Sequence, residues 1–293
     1  MRYIQYFIDA VALGSLYSLV ALGIGLIFGV MRLINLAQGE LLMVGGYTLF
    51  ATNGWSVFVR VPLVLLVIVG LALLMERIAF RRLRNASPAT MLVMTFAVSF
   101  LLRSIAQKRW SAQGKSMNIF SGLSHAFTVG QLRIRYVTLV SIAVGGVLLL
   151  GVNLFLNRTD IGLQMRAVAS DRRIAQALGV RTNQVVVTAF ALSGALATAA
   201  LLLFVPQRPT VTPDFGLQIA IVALIGVVVG GMDRLAPATF GGFSIGFANS
   251  MVFSLLPTGQ RVFLDSVLYG LVIIVLLLRP QGLFQRERHT TRV

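Results

Sequence analysis

The sequence predicts an all-α protein, a polytopic transmembrane helix bundle of about 8–10 spans. Hydrophobic residues make up 57% of its 293 residues and charged residues only 12%, and the mean hydropathy is +0.87. Several apolar runs with little or no charge reach the length of about 20 residues that a membrane-crossing helix needs. Because the bilayer core offers no hydrogen-bond partners to the backbone, these runs are expected to be helices.

The predicted spans follow the apolar runs at 5–30, 35–52, 61–80, 88–106, 136–157, 185–205, 215–232, 236–256 and 262–278. Basic residues cluster at 77–84, 158–183 and 279–292, and counting these spans places all three clusters on one side. The positive-inside rule makes that side cytoplasmic, with the C-terminus on it and the N-terminus outside. The first run is interrupted by Asp9 and lacks a clear cleavage site, so it is interpreted as an uncleaved span.

The formal net charge of +16 does not indicate nucleic-acid binding here, because the arginines lie in short segments between apolar runs. The absence of cysteine excludes disulfides, thiolate catalysis and cysteine metal sites. We expect no catalytic residues and no metal site, since no nucleophile–base cluster or ligand spacing is present. The sequence Gly114-Lys115-Ser116 lacks the earlier glycine of a phosphate loop, so no nucleotide site is expected.

The segment 107–135 is the longest non-apolar stretch apart from the basic clusters and is rich in Ser, Gly and Gln. Residues 103–135 carry several basic residues and no acid, yet the span count places them outside. We therefore predict an extracytoplasmic loop over 107–135 that faces an acidic soluble partner. The alternative is a solvated loop without a role.

The polar stretch 158–183 interrupts the apolar sequence and carries five Arg and two Asp. Its apolar residues recur at roughly helical spacing, which predicts an amphipathic helix lying against a partner protein. These residues are Ile161, Met165, Val168, Ile174 and Leu178. Thr159 or Asp160 is expected to cap the start of the helix and Gly179 its end.

Residues 14–47 form an apolar stretch perforated by glycines that also holds Asn35, Gln38 and Glu40. Polar groups at membrane depth are costly, so these side chains should face protein or a cavity. Glycine also lets a helix unwind and expose its backbone as a ligand. The alternative is that the glycines only pack helices and Glu40 is interfacial.

A shift of 202 residues pairs this stretch with a second interrupted segment, 219–247, and so suggests an internal repeat. Interrupted segments in two corresponding halves indicate a transport path at a repeat interface. The candidate path residues are Asn35, Gln38, Gly39, Glu40, Gly230, Gly231, Gly241 and Gly242. Asp233 and Arg234 are interpreted as a solvated turn.

Four stretches resemble the branched-chain amino acid permeases of ABC transporters, of the type often called LivH. They are GSLYSLVALG with IFGVMRLINLAQGE (14–40), GLQMRAVASDRRIAQALGV (162–180), the glycine pairs around 230–243 and RPQGLF (279–284). The resemblance implies a permease subunit in the bacterial cytoplasmic (inner) membrane that forms half of an alternating-access path for branched-chain or related small amino acids.

The same resemblance implies several partners: a second permease subunit in a heterodimer, two cytoplasmic ATPase subunits and a periplasmic substrate-binding protein. The protein would bind no cofactor itself, since the ATPase subunits use the ATP. The region 158–183 would be the coupling helix seated in the ATPase. Its implied coupling residues are Gly162, Arg166, Ala167, Asp171, Arg172, Ala175 and Gly179.

Departures from the family pattern leave the substrate open. Gln38 stands where the family often has His, and Asp233-Arg234 and Ala236-Pro237 replace the usual Gly-Ser and Pro-Gly. Urea, short amides and aromatic acids are alternative substrates that the resemblance implies. A channel or secondary carrier working alone is the alternative of a different class, although such a carrier has no need of the 158–183 stretch.

Overall fold

A computed structural model describes residues 2–83, 86–116, 119, 125–129, 132–232, 235–279 and 282–283. The helices are α1 Arg2–Met31, α2 Gln38–Ala51, α3 Val57–Met75, α4 Pro88–Trp110, α5 Tyr136–Arg158, α6 Asp160–Ser170, α7 Arg172–Ala177, α8 Thr182–Phe204, α9 Phe215–Gly230, α10 Leu235–Leu255 and α11 Leu264–Leu278. A π-helical turn, Glu76–Phe80, and a 3-10 turn, Arg81–Leu83, continue α3, and a 3-10 turn, Thr258–Phe263, precedes α11.

The strands are β1 Lys115–Ser116, β2 Ala126–Val129, β3 Leu132–Arg135 and β4 Thr210–Val211. β1 pairs antiparallel with β4, with Lys115 opposite Val211, and β2 pairs antiparallel with β3, with Phe127 opposite Ile134. The predicted loop 107–135 thus begins inside α4 and carries short strands. Part of it, 117–118, 120–124 and 130–131, lies outside the described residues.

The predicted all-α polytopic bundle is confirmed. Six helices in the described part of the chain are long and apolar enough to cross a membrane: Tyr3–Met31, Val57–Leu83, Pro88–Trp110, Tyr136–Arg158, Thr182–Phe204 and Gly259–Leu278. The remaining predicted runs correspond to α2, α9 and α10. With 14 and 16 residues, α2 and α9 are too short to span about 30 Å of hydrocarbon alone.

Helix α1 lies at the centre of the bundle and packs against α10, α8, α5 and α9. In its most apolar 18-residue window 83% of the residues are buried, against 22% in each of α3, α4 and α5. Small residues permit this contact, because a Cβ at Gly246 would meet the backbone of Gly14. Since Gly14 faces Gly246 while Gly25 faces Ala238, α1 and α10 run antiparallel.

The chain turns back after α1 and re-enters the bundle. Gln38, the first residue of α2, bonds Ser193, which in turn bonds the carbonyl of Gly23 in the middle of α1. At 1.5 Å per helical residue, Gly23 lies about 12 Å before the end of α1. Helix α2 therefore starts inside the bundle and is a half-helix that runs back towards the end where α1 began.

Helices α8 and α9 repeat this arrangement in the opposite direction. Contacts of Tyr17 with Phe204 and of Gly23 with Ser193 show that α8 runs antiparallel to α1. The first turn of α9, at Gly216, meets the first turn of α2. In the structure, α1–α2 therefore corresponds to α8–α9, whereas the sequence shift of 202 residues pairs α1 with α9. The sequence echo therefore does not coincide with the structural repeat.

The second predicted interrupted segment is a helical hairpin. Gly226 packs on Gly242 and Gly230 packs on Pro237, so α9 and α10 lie antiparallel on either side of the turn. The turn begins at Gly231, whose φ of 110° suits glycine. Asp233 and Arg234, predicted to form a solvated turn here, lie outside the described residues.

The two ends of the bundle differ. One end of the bundle, called the α6 end, holds helices α6 and α7 and the 3-10 turn after α3. Leu283 also lies there, because its amide donates to the Val229 carbonyl at 2.7 Å. The strands β1–β4 lie at the other, called the strand end. The three predicted basic clusters thus share an end as far as their residues are described.

Candidate functional site

The start of α2 gathers the polar side chains that the sequence singled out. Asn35, Gln38 and Glu40 are 3%, 1% and 0% exposed, so all three face protein. The Asn35 Oδ1 accepts a hydrogen bond from the Ala37 amide at 3.1 Å, which forms the tight turn that starts the half-helix. The Gln38 Nε2 donates to the Ser193 Oγ at 2.8 Å, and Ser193 donates to the Gly23 carbonyl at 3.0 Å. This chain of hydrogen bonds fixes α2 to α8 and α1.

Each of the three side chains keeps one buried polar atom without a hydrogen-bond partner among the described residues. These atoms are Asn35 Nδ2, Gln38 Oε1 and Glu40 Oε2. Buried polar groups are nearly always hydrogen-bonded in native proteins. One donor and two acceptors around the start of α2 thus lack a hydrogen-bond partner.

Glu40 is held by α4. Its Oε1 accepts from the Ser99 Oγ at 2.6 Å and from the Arg103 guanidinium at 3.3 Å. The same guanidinium bonds Asp214, which precedes the first turn of α9, at 3.3 Å. Arg103 thus ties the starts of both half-helices to α4.

This network is not evident from the sequence, where Arg103 adjoins the basic residues of the predicted outer segment. In the structure Arg103 belongs to α4 and only 19% of its side chain is exposed. The available signal was the helical spacing of Ser99 and Arg103, four residues apart, which places both on one face of α4.

The two half-helices touch backbone to backbone at Gly39 and Gly216. A Cβ at Gly39 would lie 2.5 Å from the Gly216 carbonyl oxygen, and a Cβ at Gly216 would collide with the Gly39 carbonyl. Only glycine allows this approach. The N-termini of two helices, both with partial positive charge, therefore meet inside the bundle in direct backbone contact.

The other predicted path glycines serve close helix packing. Gly230 contacts Pro237 and Gly241, and Gly242 contacts Ala21 and Tyr17. Their nearest neighbours are backbone and small or aromatic side chains. The structure does not bring them together with Asn35, Gln38 and Glu40.

The predicted coupling region is two helices. Thr159 caps α6 through the Gly162 amide at 3.0 Å, as expected. Asp171 then leaves helical geometry, with a φ of −150°, and its Oδ1 accepts from the amides of Arg173 and Ile174 at 2.8 and 3.0 Å. The single predicted helix is therefore broken at Asp171, because its side chain caps a new one. Gly179, with a φ of 84°, lies just past the end of α7.

Burial in α6 and α7 differs from the predicted amphipathic pattern. Gly162, Met165, Val168 and Ala175 are buried, whereas Arg166 and Asp171 are exposed and Ala167 and Arg172 are half-buried. Of the residues predicted to form the apolar face, Met165 and Val168 pack inside the bundle, whereas Ile161, Ile174 and Leu178 are exposed together with Leu163. Apolar side chains grouped on an exposed, arginine-rich surface are typical of a protein interface.

A cleft of about 430 Å³ adjoins this surface at the α6 end. It lies between the continuation of α3, α6 and the start of α8. Its lining residues are Glu76, Arg81, Ile161, Gln164, Asn183, Gln184, Val185, Val187 and Thr188. The cleft extends the exposed surface of α6 towards the membrane-spanning helices.

The family model described as "Branched-chain amino acid transport system / permease component" matches residues 6–277. The chain belongs to this family. The protein is therefore a multi-pass membrane protein. As a permease component it forms part of a transport system and is not itself an enzyme.

Several known proteins are similar to the chain over nearly its full length. The chain is 28% identical to the high-affinity branched-chain amino acid transport system permease protein BraD of Pseudomonas aeruginosa, over 97% of this chain and 96% of the relative. It is 26% identical to LivH of Escherichia coli over 98% and 96%. It is 29% identical to the probable permease LivH of Methanocaldococcus jannaschii over 94% and 90%. No solved structure matches the chain.

Proposed function

We propose that this permease is a membrane subunit of an ATP-driven ABC importer that moves branched-chain or related small amino acids by alternating access. The observation that carries the proposal is the half-helix α2, which starts inside the bundle beside three unpartnered polar atoms of Asn35, Gln38 and Glu40. The family match and the relatives named for branched-chain amino acid transport support the substrate class.

The site suits a zwitterion. The amide ends of α2 and α9 carry partial positive charge and favour a carboxylate, while Gln38 Oε1 on one side of α2 or Glu40 Oε2 on the other accepts a hydrogen bond from an ammonium group. Entry requires Gly39 and Gly216 to separate, since their backbones now touch. In this proposal Gly230, Gly241 and Gly242 border the path by letting α10 lie close against α9 and α1, and Gly231 borders it at the turn that ends α9.

The partners occupy the two ends and one flank. The α6 end lies in the cytoplasm with the C-terminus, and two ATPase subunits that hydrolyse the ATP contact α6 and α7 there. The coupling residues are Gly162, Arg166, Ala167, Asp171, Arg172, Ala175 and Gly179. A periplasmic binding protein delivers substrate at the strand end, which includes the described part of 107–135. A second permease subunit covers part of the exposed apolar flank of α3, α4, α5 and α11, and lipid of the inner membrane covers the rest.

Reconstitution into liposomes tests the proposal. Uptake of labelled leucine is expected only when the second permease, the ATPase subunits, ATP and the binding protein are all present. Excess isoleucine or valine should compete, whereas urea, acetamide and benzoate should not. Leucine uptake by this chain alone, without ATP, would identify an autonomous channel or carrier and contradict the proposal. Competition by urea, acetamide or benzoate would assign the alternative substrates.

A further inference from the structure

We propose that Arg32 is a positioning residue that transmits movement of α6 to the start of the half-helix α2. This inference rests on the proposed function, in which α6 contacts the ATPase and α2 borders the path. Arg32 lies between these two regions, immediately after the last residue of α1.

The first observation is a contact across 137 residues of sequence. The Arg32 Nη2 donates to the main-chain carbonyl of Ala169 at 2.9 Å. Ala169 belongs to the last turn of α6, where carbonyls have no partner within the helix and carry partial negative charge. The guanidinium therefore caps the C-terminus of α6 and joins it to the end of α1.

The second observation is the backbone of Arg32 itself. Its φ is 52°, in the left-handed region that residues other than glycine seldom occupy. Its amide still donates to the Phe28 carbonyl at 2.7 Å, so Arg32 ends α1 and turns the chain back into the bundle. The direction in which the chain re-enters is thus set at the residue that holds α6.

The third observation is the packing of the short segment between Arg32 and α2. Leu33, Asn35 and Ala37 are 3%, 3% and 0% exposed, and the Asn35 side chain bonds the Ala37 amide. In this proposal a displacement of Arg32 reaches Gln38 because alternate residues between them are buried, Ile34 and Leu36 are half-buried, and Asn35 closes a tight turn with Ala37. The structure thus provides a continuous connection from the ATPase-facing helix to the unpartnered polar atoms.

The test compares three variants in the complete transporter. Arg32→Gly removes the guanidinium but tolerates the left-handed backbone. Arg32→Lys keeps a donor and a positive charge. Arg77→Ala, which removes an exposed charge from the turn after α3 at the same end, is the matched control. The quantity measured is the amount of leucine taken up per ATP hydrolysed in liposomes.

Arg32→Gly is expected to lower this ratio at least fivefold while the ATPase subunits still co-purify. Arg32→Lys is expected to keep at least half of the ratio. Arg77→Ala is expected to give the same ratio as the unsubstituted protein. An unchanged ratio in Arg32→Gly would overturn the inference. So would loss of ATPase binding, because Arg32 would then be a docking residue.

A second measurement separates this inference from the proposed function. Because the natural chain has no cysteine, spin labels can be placed at Ala51→Cys, at the end of α2, and Val262→Cys, before α11. A non-hydrolysable ATP analogue should change the distance between the labels in the assembled complex, and Arg32→Gly should abolish the change. Persistence of the change in Arg32→Gly would overturn the inference. Absence of leucine uptake by the unsubstituted transporter would contradict the proposed function alone.

Discussion

At the scale of single residues, Glu40 and Arg103 show how the bundle keeps a charge inside. The Glu40 side chain is completely buried, and removing a carboxylate from water is costly unless a partner compensates it. Ser99 and Arg103 supply that compensation from α4. Asp214, the second acid bound by Arg103, keeps 55% of its side chain exposed and so depends far less on the pair.

Replacing Arg103 with alanine should therefore destabilise the protein strongly. It leaves Glu40 buried without its cation, and we expect the free energy of unfolding to fall by about 3 kcal/mol. Thermal denaturation in detergent would show this as a lowered midpoint. Asp214→Asn is the matched control and should cost about 1 kcal/mol or less. Adding Glu40→Gln to Arg103→Ala should recover most of the loss, and failure to recover would contradict this account.

The backbone contact at Gly39 gives a second prediction. In Gly39→Ala the new methyl group meets the Gly216 carbonyl oxygen at 2.5 Å, so α2 and α9 must move apart. Overpacking of this kind costs about 2 kcal/mol and should also impair leucine uptake. Gly70→Ala in α3 is the control, since nothing lies within 4 Å of its Cβ, and it should be neutral or slightly stabilising. Equal effects of the two substitutions would argue against the close contact.

Among the secondary-structure elements, the half-helix α2 and the pair α6–α7 differ most from what the sequence predicts. The sequence located both segments, because polar and glycine residues interrupt the apolar runs at Asn35, Gln38 and Asp171. It did not show that α2 begins beside the middle of α1, since that depends on the bond between Gln38 and Ser193, 155 residues apart. Nor did helical spacing show that Ile174 and Leu178 point outwards, because the new cap at Asp171 changes the direction of the chain.

Helix α7 should depend on its cap. With only six residues it has little stability of its own, and Asp171→Ala removes the bonds to the amides of Arg173 and Ile174. Loss of a cap costs about 1 kcal/mol, so amide exchange over 172–177 should become about fivefold faster. Hydrogen–deuterium exchange with mass spectrometry measures this directly. Asp171→Asn keeps the capping oxygen and should exchange like the natural protein, and identical exchange in both variants would contradict the capping role.

At the scale of the whole molecule, two long helices each followed by a half-helix run in opposite directions through the bundle. The starts of α2 and α9 meet at Gly39 and Gly216, and Arg103 bonds an acid beside each. Movement of one half-helix against the other therefore opens or closes a single point inside the protein. This arrangement suits alternating access, in which two inverted halves rock around a central site.

The proposed orientation can be tested on the whole chain, because it lacks cysteine. Leu178→Cys lies at the α6 end and Val262→Cys just before α11, and their natural side chains are 78% and 87% exposed. A thiol reagent that does not cross membranes should label Val262→Cys in intact spheroplasts and Leu178→Cys only after lysis, because the proposed orientation places the basic clusters and the α6 end in the cytoplasm. The reverse pattern would invert the proposed topology.

The membrane-spanning all-α fold, the positions of the apolar runs and the family could be predicted from the sequence, because hydropathy and local motifs are properties of contiguous residues. The sequence also located Asn35, Gln38 and Glu40, since polar side chains in an apolar run are conspicuous. Three features required the folded arrangement. These are which helices are halves, the correspondence of α1–α2 with α8–α9 rather than α9–α10, and the contacts that Ser99, Arg103, Ser193 and Gly216 add around the start of α2. These features depend on contacts between residues 59 to 177 positions apart, which the periodicity of a single helix does not record.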